Sequence, residues 1–219
     1  MLVSNYLHEY VPDGAHYLEL AAAFGPVDWS TACPSLAVPD AEALAGKAGV
    51  EASAGPWLVL APGAAYGPAK QWPAEHFAAV ARWWRGRGGR VVVVGTSKER
   101  EAGEAIRAAI PEALNLAGQT SLHELMAVLA LCDLAVTNDS GAMHLGAALG
   151  CRGVAVFGST DAVATGPIGG RWVLLADPPA CAPCLRRTCD RTDRPYECLL
   201  RIEPAAVIEA VEGLLSLAD

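Results

Sequence analysis

Hydrophobic positions after residue 55 fall into two alternating patterns. Short, mostly apolar runs cover residues 57–61, 91–94, 114–116, 134–137 and 154–157. Runs that are apolar on both faces are typical of strands covered on both sides, as in parallel sheets. Between them, apolar residues recur at helical spacing, first after Pro73, a residue that suits the start of a helix. The pattern predicts an α/β chain with a doubly wound parallel sheet.

The two ends of the chain show different patterns. Residues 203–218 have an apolar stripe at helical spacing, which predicts a final helix. Near the start, residues 17–24 fit one helix, and residues 33–40 read as a loop with two prolines. The first fifty residues are too few to build a second complete α/β domain.

Small and polar residues follow the fourth apolar run, in the stretch TNDSGAMHLGAALG that begins at Thr137. Doubly wound sheets bind ligands at the carboxyl ends of their strands. Ser140 and Gly141 open a helix there, where unpaired N–H groups and the positive dipole end favour a phosphate. Asp139 would repel a phosphate but suits sugar hydroxyls, and His144 lies one turn further on. Asn, Asp and Ser are also ordinary helix N-cap residues, so a plain cap stays open.

A second stretch, PGAAYGPAKQWP, follows the first apolar run. Its small residues, Ala64 and Ala65 among them, leave room for a ligand, and Lys70 could neutralise a phosphate leaving group. A surface lysine in a polar loop is the alternative. The spacing of a Walker A loop is absent, and no run carries a clean G-x-G-x-x-G, which argues against a nicotinamide dinucleotide site.

Three further loops belong to the same predicted sheet edge. Glu99, after the second run, is a candidate for ribose hydroxyls, and Thr120, after the third, could flank a base. As alternatives, Glu99 could belong to a solvated helix start, and Thr120 could be a helix-capping residue. The fifth run ends in FGSTD, again small and rich in hydroxyls.

Composition narrows the class of protein. The chain has 219 residues, 53% of them hydrophobic, and a formal charge of −8, which disfavours general nucleic-acid binding. No apolar run is long enough to cross a membrane, and the first twenty residues lack the pattern of a signal peptide. Seven cysteines without a secretory signal indicate a reducing compartment. These features predict a cytoplasmic protein.

Three stretches taken together resemble a known family. PGAAYGPAKQWP, TNDSGAMHLGAALG and FGSTDAVATGP, in this order and spacing, are similar to the lipopolysaccharide heptosyltransferases of glycosyltransferase family 9, the type II enzymes in particular. The resemblance runs from about Pro56 to the C-terminus. It implies the GT-B fold, in which two Rossmann-like domains flank the active site and the C-terminal one binds ADP-L-glycero-D-manno-heptose.

The resemblance also implies roles for individual residues. Lys70 would hold the diphosphate and support its departure, and Asp139 would hold heptose hydroxyls. The other implied donor-binding residues are Ala64, Ala65, Glu99, Thr120, Ser140, Gly141 and His144. No cofactor is implied. The acceptor would be the lipopolysaccharide inner core at the cytoplasmic face of the inner membrane, with peripheral membrane contact and no nucleic acid.

The resemblance leaves the general base without a residue. The family places it in a Gly-rich loop early in the N-terminal domain, and neither Glu9 nor Asp13 lies in such a loop. We therefore expect residues 1–52 to be a remnant of the N-terminal acceptor domain with its linker, and residues 53–219 to be the nucleotide-sugar-binding domain. The chain would then supply the donor-binding half. A catalytically incompetent binding fragment and a family 9 enzyme for another nucleotide sugar are the alternatives.

Four cysteines near the C-terminus follow the spacing C-x2-C-x4-C-x8-C: Cys181, Cys184, Cys189 and Cys198. Four thiolates can bind a structural zinc ion tetrahedrally, and free thiols or disulfides are the alternatives. Arginines surround the group at positions 186, 187, 191, 194 and 201. They could face an anionic acceptor or the membrane, or form a solvated loop.

Overall fold

A computed structural model describes residues 33–216 of the chain. Its centre is one sheet of six parallel strands in the order β3-β2-β1-β4-β5-β6. The strands are β1 (Trp57–Ala61), β2 (Arg90–Val93), β3 (Leu114–Asn115), β4 (Leu134–Asn138), β5 (Gly153–Phe157) and β6 (Trp172–Ala176). The chain reverses its direction of winding between β1 and β4, which makes their carboxyl ends the topological switch point.

Helices cover both faces of the sheet. They are α1 (Ala41–Lys47), α2 (Ala74–Gly86), α3 (Arg100–Ala109), α4 (Leu122–Leu131), α5 (Gly141–Ala148), α6 (Ala162–Thr165), α7 (Glu197–Leu200) and α8 (Pro204–Ser216). Short 3-10 turns occupy Ala52–Ala54, Pro68–Lys70 and Ser97–Glu99. The prediction of a doubly wound, Rossmann-like parallel sheet is confirmed.

Two apolar layers hold the sheet between the helices. One face packs α2 and α8 against the strands through buried side chains such as Phe77, Trp84 and Val211. The other packs α4 against the strands, and Ala45 of α1 and the following Val50 lie in that same layer. The segment before β1 is therefore packed onto the sheet as far back as α1.

Four elements were not predicted from the sequence: strand β6, helix α1 and the four-residue helices α6 and α7. Strand β6 was missed because it lies at the edge of the sheet and most of its side chains are only half-buried. Helix α1 was missed because it has only seven residues, among which only Ala45 is buried. The predicted loop at residues 33–40 is confirmed, and the helix predicted at 17–24 lies outside the described residues. Between residues 33 and 216, no helix is both long and apolar enough to cross a membrane.

Candidate functional site

Asn138, the last residue of β4, fixes the loop that follows β1. Its side chain is fully buried. Its Nδ2 donates to the carbonyl of Pro62 at 2.6 Å, and its Oδ1 accepts from the backbone N–H of Trp72 at 3.0 Å. Because both ends of the loop bond to one side chain, the position of Lys70 between them is set relative to β4.

Lys70 and Asp139 form a buried ion pair at this edge. The Nζ of Lys70 lies 2.6 Å from Oδ2 of Asp139, and their side chains are 12% and 5% exposed. The same oxygen accepts from Thr160 Oγ1 at 2.6 Å and from Thr165 Oγ1 at 3.1 Å. The structure therefore brings together the two predicted catalytic residues, and it adds two threonines that follow β5.

The N-terminus of α5 carries no side-chain cap. Ser140 precedes the helix in an extended conformation, and its hydroxyl does not bond to the first helical N–H groups. Among the described residues, the buried Oγ atoms of Ser140 and Ser159 have no hydrogen-bond partner. The plain-cap explanation of this stretch therefore fails for Ser140, and the helix end keeps groups that can bind an anion.

His144 lies one turn into α5, within electrostatic reach of the ion pair. Desolvation lowers the pKa of its imidazole, the charge of Lys70 lowers it further, and the charge of Asp139 opposes both. The residue is nevertheless exposed on one side. It is therefore a neutral, solvent-accessible donor or acceptor beside Lys70 and Asp139 at neutral pH.

Glu99 lies at the same edge, but its carboxylate has a local partner. Its Oε2 accepts from the backbone N–H of Thr96 at 2.6 Å and from the Thr96 hydroxyl at 2.5 Å, in a capping box. Its side chain also crosses Gly63, where an added Cβ would lie 2.2 Å from Glu99 Cγ. The second observation places Glu99 next to the loop after β1, and its ribose role stays a prediction.

The remaining predicted donor-binding positions differ in exposure. Ala64 is buried, and its carbonyl accepts from the N–H of Gly67 at 3.2 Å. Ala65 is exposed and Gly141 is open, with no atom within 4 Å of an added Cβ. Thr120 is half-buried in the loop before α4. Ala64, Ala65 and Thr120 lie in loops at the carboxyl edge, and Gly141 begins α5 there; their contacts to a nucleotide stay predictions.

The segment that carries the four predicted metal ligands packs directly on the Lys70 loop. The Tyr66 hydroxyl donates to the carbonyl of Leu185 at 2.6 Å, and Arg187 Nε donates to the carbonyl of Tyr66 at 2.7 Å. The N–H of Ala69 bonds to the carbonyl of Arg187 at 3.0 Å. Lys70 Nζ lies 4.9 Å from the centre of the Tyr66 ring. This segment is therefore one wall of the loop that presents Lys70.

Three of the four cysteines lie close enough to influence the fourth, Cys198. Burial and the neighbouring thiols Cys184, Cys189 and Cys181 raise the pKa of Cys198 to about 11. Within residues 33–216, no group of three or more His, Cys, Asp or Glu side chains is placed to hold a metal ion. The structural zinc site stays a prediction, which metal analysis of the purified chain tests.

The surrounding arginines are engaged within the chain. Arg186 pairs with Asp190, Arg201 pairs with Asp177, and Arg187 lies over the Tyr66 ring. The last two, Arg191 and Arg194, both pair with Glu197. A membrane or an anionic acceptor that bound these arginines would compete with their present partners.

Sequence reasoning missed Thr160, Thr165 and Asn138 as parts of the site. The hydroxyl-rich end of the fifth apolar run was a signal for Thr160, although it gave no partner for it and did not include Thr165. For Tyr66 no signal was available, because its partners Leu185 and Arg187 are more than a hundred positions away.

Comparisons with known proteins identify the family of this chain. Residues 15–193 match the sequence model of glycosyltransferase family 9 (heptosyltransferase). The chain is 34% identical over 166 residues to lipooligosaccharide heptosyltransferase 2 of Haemophilus influenzae, covering 74% of this chain and 48% of the relative. It is 34% identical over 173 residues to lipopolysaccharide heptosyltransferase 2 of Escherichia coli, covering 73% and 47%.

Solved structures show the same likeness. The structure of ADP-heptose lipopolysaccharide heptosyltransferase II of E. coli matches with a TM-score of 0.73 and 31% identity, over 88% of this chain and 55% of that one. A family 9 glycosyltransferase of Veillonella parvula matches with a TM-score of 0.78 and 24% identity, over 96% and 61%. The chain thus spans about half the length of the curated relatives it matches.

Proposed function

This chain belongs to glycosyltransferase family 9, and on that premise we propose that it takes part in heptose transfer to the lipopolysaccharide inner core. The donor would be ADP-L-glycero-D-manno-heptose, and this chain would supply the donor-binding half of the active site. The relatives are heptosyltransferases by name, and the structural relative from E. coli is an ADP-heptose lipopolysaccharide heptosyltransferase.

The observation that carries the proposal is the ion pair of Lys70 and Asp139 beside the uncapped start of α5. A cation and a helix N-terminus side by side offer a diphosphate two matched sources of positive potential. A carboxylate next to them can accept hydrogen bonds from sugar hydroxyls. The hydroxyls of Ser140 and Ser159, which have no hydrogen-bond partner among residues 33–216, are further candidate donors. A sugar joined to a nucleoside diphosphate has a diphosphate, which a cation and a helix N-terminus can bind, and sugar hydroxyls, which a carboxylate can bind.

The chemistry would be an inverting displacement at the anomeric carbon. The leaving ADP gains negative charge, which Lys70 and the N–H groups at the start of α5 would stabilise. Asp139 would orient the heptose, and His144 would support that site. A general base must also take the proton of the acceptor hydroxyl. We assign that base to none of the described residues, so the acceptor side lies outside the site described here.

The acceptor sets the expected place of action. Lipopolysaccharide core would be reached at the cytoplasmic face of the inner membrane, with peripheral contact. Since the arginines near residues 186–201 are paired with acidic or aromatic partners, such contact would require those pairs to open so that the guanidinium groups can bind the anionic surface.

Calorimetric titration of the purified chain with ADP, ADP-heptose and UDP-glucose tests the proposal. We expect binding of both adenine ligands, weak or no binding of UDP-glucose, and at least tenfold weaker ADP binding in Lys70→Ala, since a charge-assisted contact contributes about 1.5–3 kcal/mol. Lys98→Ala, an exposed lysine at the same edge, is the matched control. Absence of ADP binding by a folded wild-type chain would refute the proposal.

A transfer assay separates this proposal from a binding fragment without activity. The chain alone, and the chain with a separately produced N-terminal domain of a heptosyltransferase, would be given ADP-heptose and a heptose-free core acceptor. We expect the chain by itself to bind the donor and to transfer heptose poorly. Preference for UDP-glucose over ADP-heptose would instead favour a family 9 enzyme with another donor.

A further inference from the structure

Two cations lie against one aromatic ring in the loop that presents Lys70. Lys70 Nζ is 4.9 Å from the centre of the Tyr66 ring, and the guanidinium carbon of Arg187 is 5.3 Å from it. Arg187 is exposed, whereas the Lys70 side chain is only 12% exposed. The fold therefore brings a solvent-accessible guanidinium to this loop from a segment 121 positions away from Tyr66.

Hydrogen bonds fix Arg187 in this place. Its Nε donates to the carbonyl of Tyr66 at 2.7 Å, and its own carbonyl accepts from the N–H of Ala69 at 3.0 Å. The Tyr66 hydroxyl donates to the carbonyl of Leu185 at 2.6 Å. Because these contacts hold both the backbone and the side chain, Arg187 would lose less conformational entropy on binding a ligand than an untethered surface arginine.

Arg187 keeps its charge and most of its donors available. The other arginines of the segment, at positions 186, 191, 194 and 201, each pair with a carboxylate. Between residues 33 and 216, no carboxylate lies within ion-pair distance of Arg187, and only its Nε donates a hydrogen bond. The terminal N–H groups of a guanidinium form a planar fork that fits two oxygens of one phosphate. That fork is therefore open to a ligand.

A diphosphate at this edge needs more positive charge than Lys70 supplies. Asp139 lies 2.6 Å from Lys70 Nζ, so the two charges largely cancel. The start of α5 adds only about half an elementary charge. Lys70 has three N–H donors and can contact Asp139 and a phosphate at the same time. A second full cation next to Lys70 would supply the charge that balances the diphosphate.

The position of Arg187 suits that role. Both cations lie within 5.3 Å of the centre of the same ring, so a diphosphate with a hydrogen bond at each end can span the gap between them. We propose that Arg187 is a second binding residue for the diphosphate of the donor, held in place by its contacts with Tyr66. The inference rests on the proposed function, since it needs a nucleoside diphosphate at this edge.

The test is calorimetric titration of the 219-residue chain with ADP at one ionic strength, with the variants Arg187→Gln and Arg187→Lys. Arg187→Gln is expected to bind ADP about tenfold more weakly, from the loss of a charge-assisted contact. Arg187→Lys should lose less, because it keeps the charge without the planar fork. Arg186→Gln is the matched control, because Arg186 is the exposed neighbour and pairs with Asp190. It should match the wild type.

A double variant separates a direct contact from an effect through Lys70. If Arg187 itself contacts the diphosphate, Arg187→Gln should weaken ADP binding further in the Lys70→Ala background, by a similar factor. If Arg187 only fixes the loop that presents Lys70, its removal should cost nothing once Lys70 is gone. Should ADP binding by Lys70→Ala be too weak to measure, Arg187→Lys decides, because a structural role would leave it no better than Arg187→Gln.

The outcomes distinguish this inference from the proposed function. If the wild type binds ADP and Arg187→Gln binds it equally well, the inference is wrong while the donor site stands. A loss that disappears in the Lys70→Ala background also overturns it. If the wild type does not bind ADP, the proposed function fails and the inference falls with it. Thermal denaturation checks that each variant is folded, and Arg187→Ala replaces Arg187→Gln if the latter is not.

Discussion

Two acidic residues at the same sheet edge, Glu99 and Asp139, have opposite surroundings. Glu99 bonds to Thr96, three positions away, and forms an ordinary capping box. Asp139 is held by side chains 69, 21 and 26 positions away. One carboxylate thus belongs to its own loop, and the other joins three separate loops. Residues with distant partners should therefore control both stability and ligand binding, and residues with local partners should control mainly their own helix.

Removal of Lys70 should have the largest effect on stability. Lys70→Ala leaves a buried carboxylate without its cation, which should lower the free energy of unfolding by about 3 kcal/mol. Urea denaturation measures it. Combining Lys70→Ala with Asp139→Asn should cost less than the sum of the two single changes, because the pair is removed together. A single-variant loss below about 1 kcal/mol would show that the pair behaves like a surface ion pair.

Gly67 tests the contact between the Lys70 loop and the segment at residues 185–187. Its φ is +152°, and an added Cβ would lie 2.4 Å from the carbonyl oxygen of Arg187. Gly67→Ala should lower the free energy of unfolding by about 2 kcal/mol and weaken ADP binding. Gly86→Ala is the control, because Gly86 lies in α2 with open space around its Cβ position. That change should be neutral or stabilising by up to about 1 kcal/mol.

Glu99 can be compared with Glu124, which forms the same capping box with Ser121 at the start of α4. Each Glu→Ala change should lower the free energy of unfolding by about 0.5–1 kcal/mol, the usual range for a helix cap. If Glu99 also binds the ribose, only Glu99→Ala should weaken ADP binding. Equal ADP affinity in the two variants would limit Glu99 to its capping role.

The pH dependence contributed by His144 should be the smallest effect. Its folded-state pKa is lowered from 6.5, so the unfolded chain binds the proton more readily than the folded one. The stability linked to His144 is therefore complete above pH 6.5 and is lost as pH falls through the lowered pKa. His144→Gln should reduce the drop in melting temperature between pH 7.5 and pH 5.5. An unchanged drop would mean that the imidazole titrates normally.

Much of the fold was predictable because its signals are local. The apolar runs at β1, β2, β4 and β5 have the length and continuity of covered parallel strands, and Ser121 and Glu124 mark the start of α4 within four residues. Strand β6 was not predicted because a half-buried edge strand is held by pairing with its neighbour and carries only a weak apolar pattern of its own.

The site also has parts that were predictable from the sequence and parts that were not. The sequence alone determined that Lys70, Asp139 and Ser140 follow strands whose carboxyl ends share one edge, since parallel winding follows from the apolar pattern. Only the tertiary structure decided that Lys70 neutralises Asp139, that Thr160 and Thr165 complete its shell, and that Tyr66 and Arg187 join the loop to a distant segment. The physical reason is that a buried charge must find partners wherever packing places them, and that placement follows from strand order in space rather than from spacing along the chain.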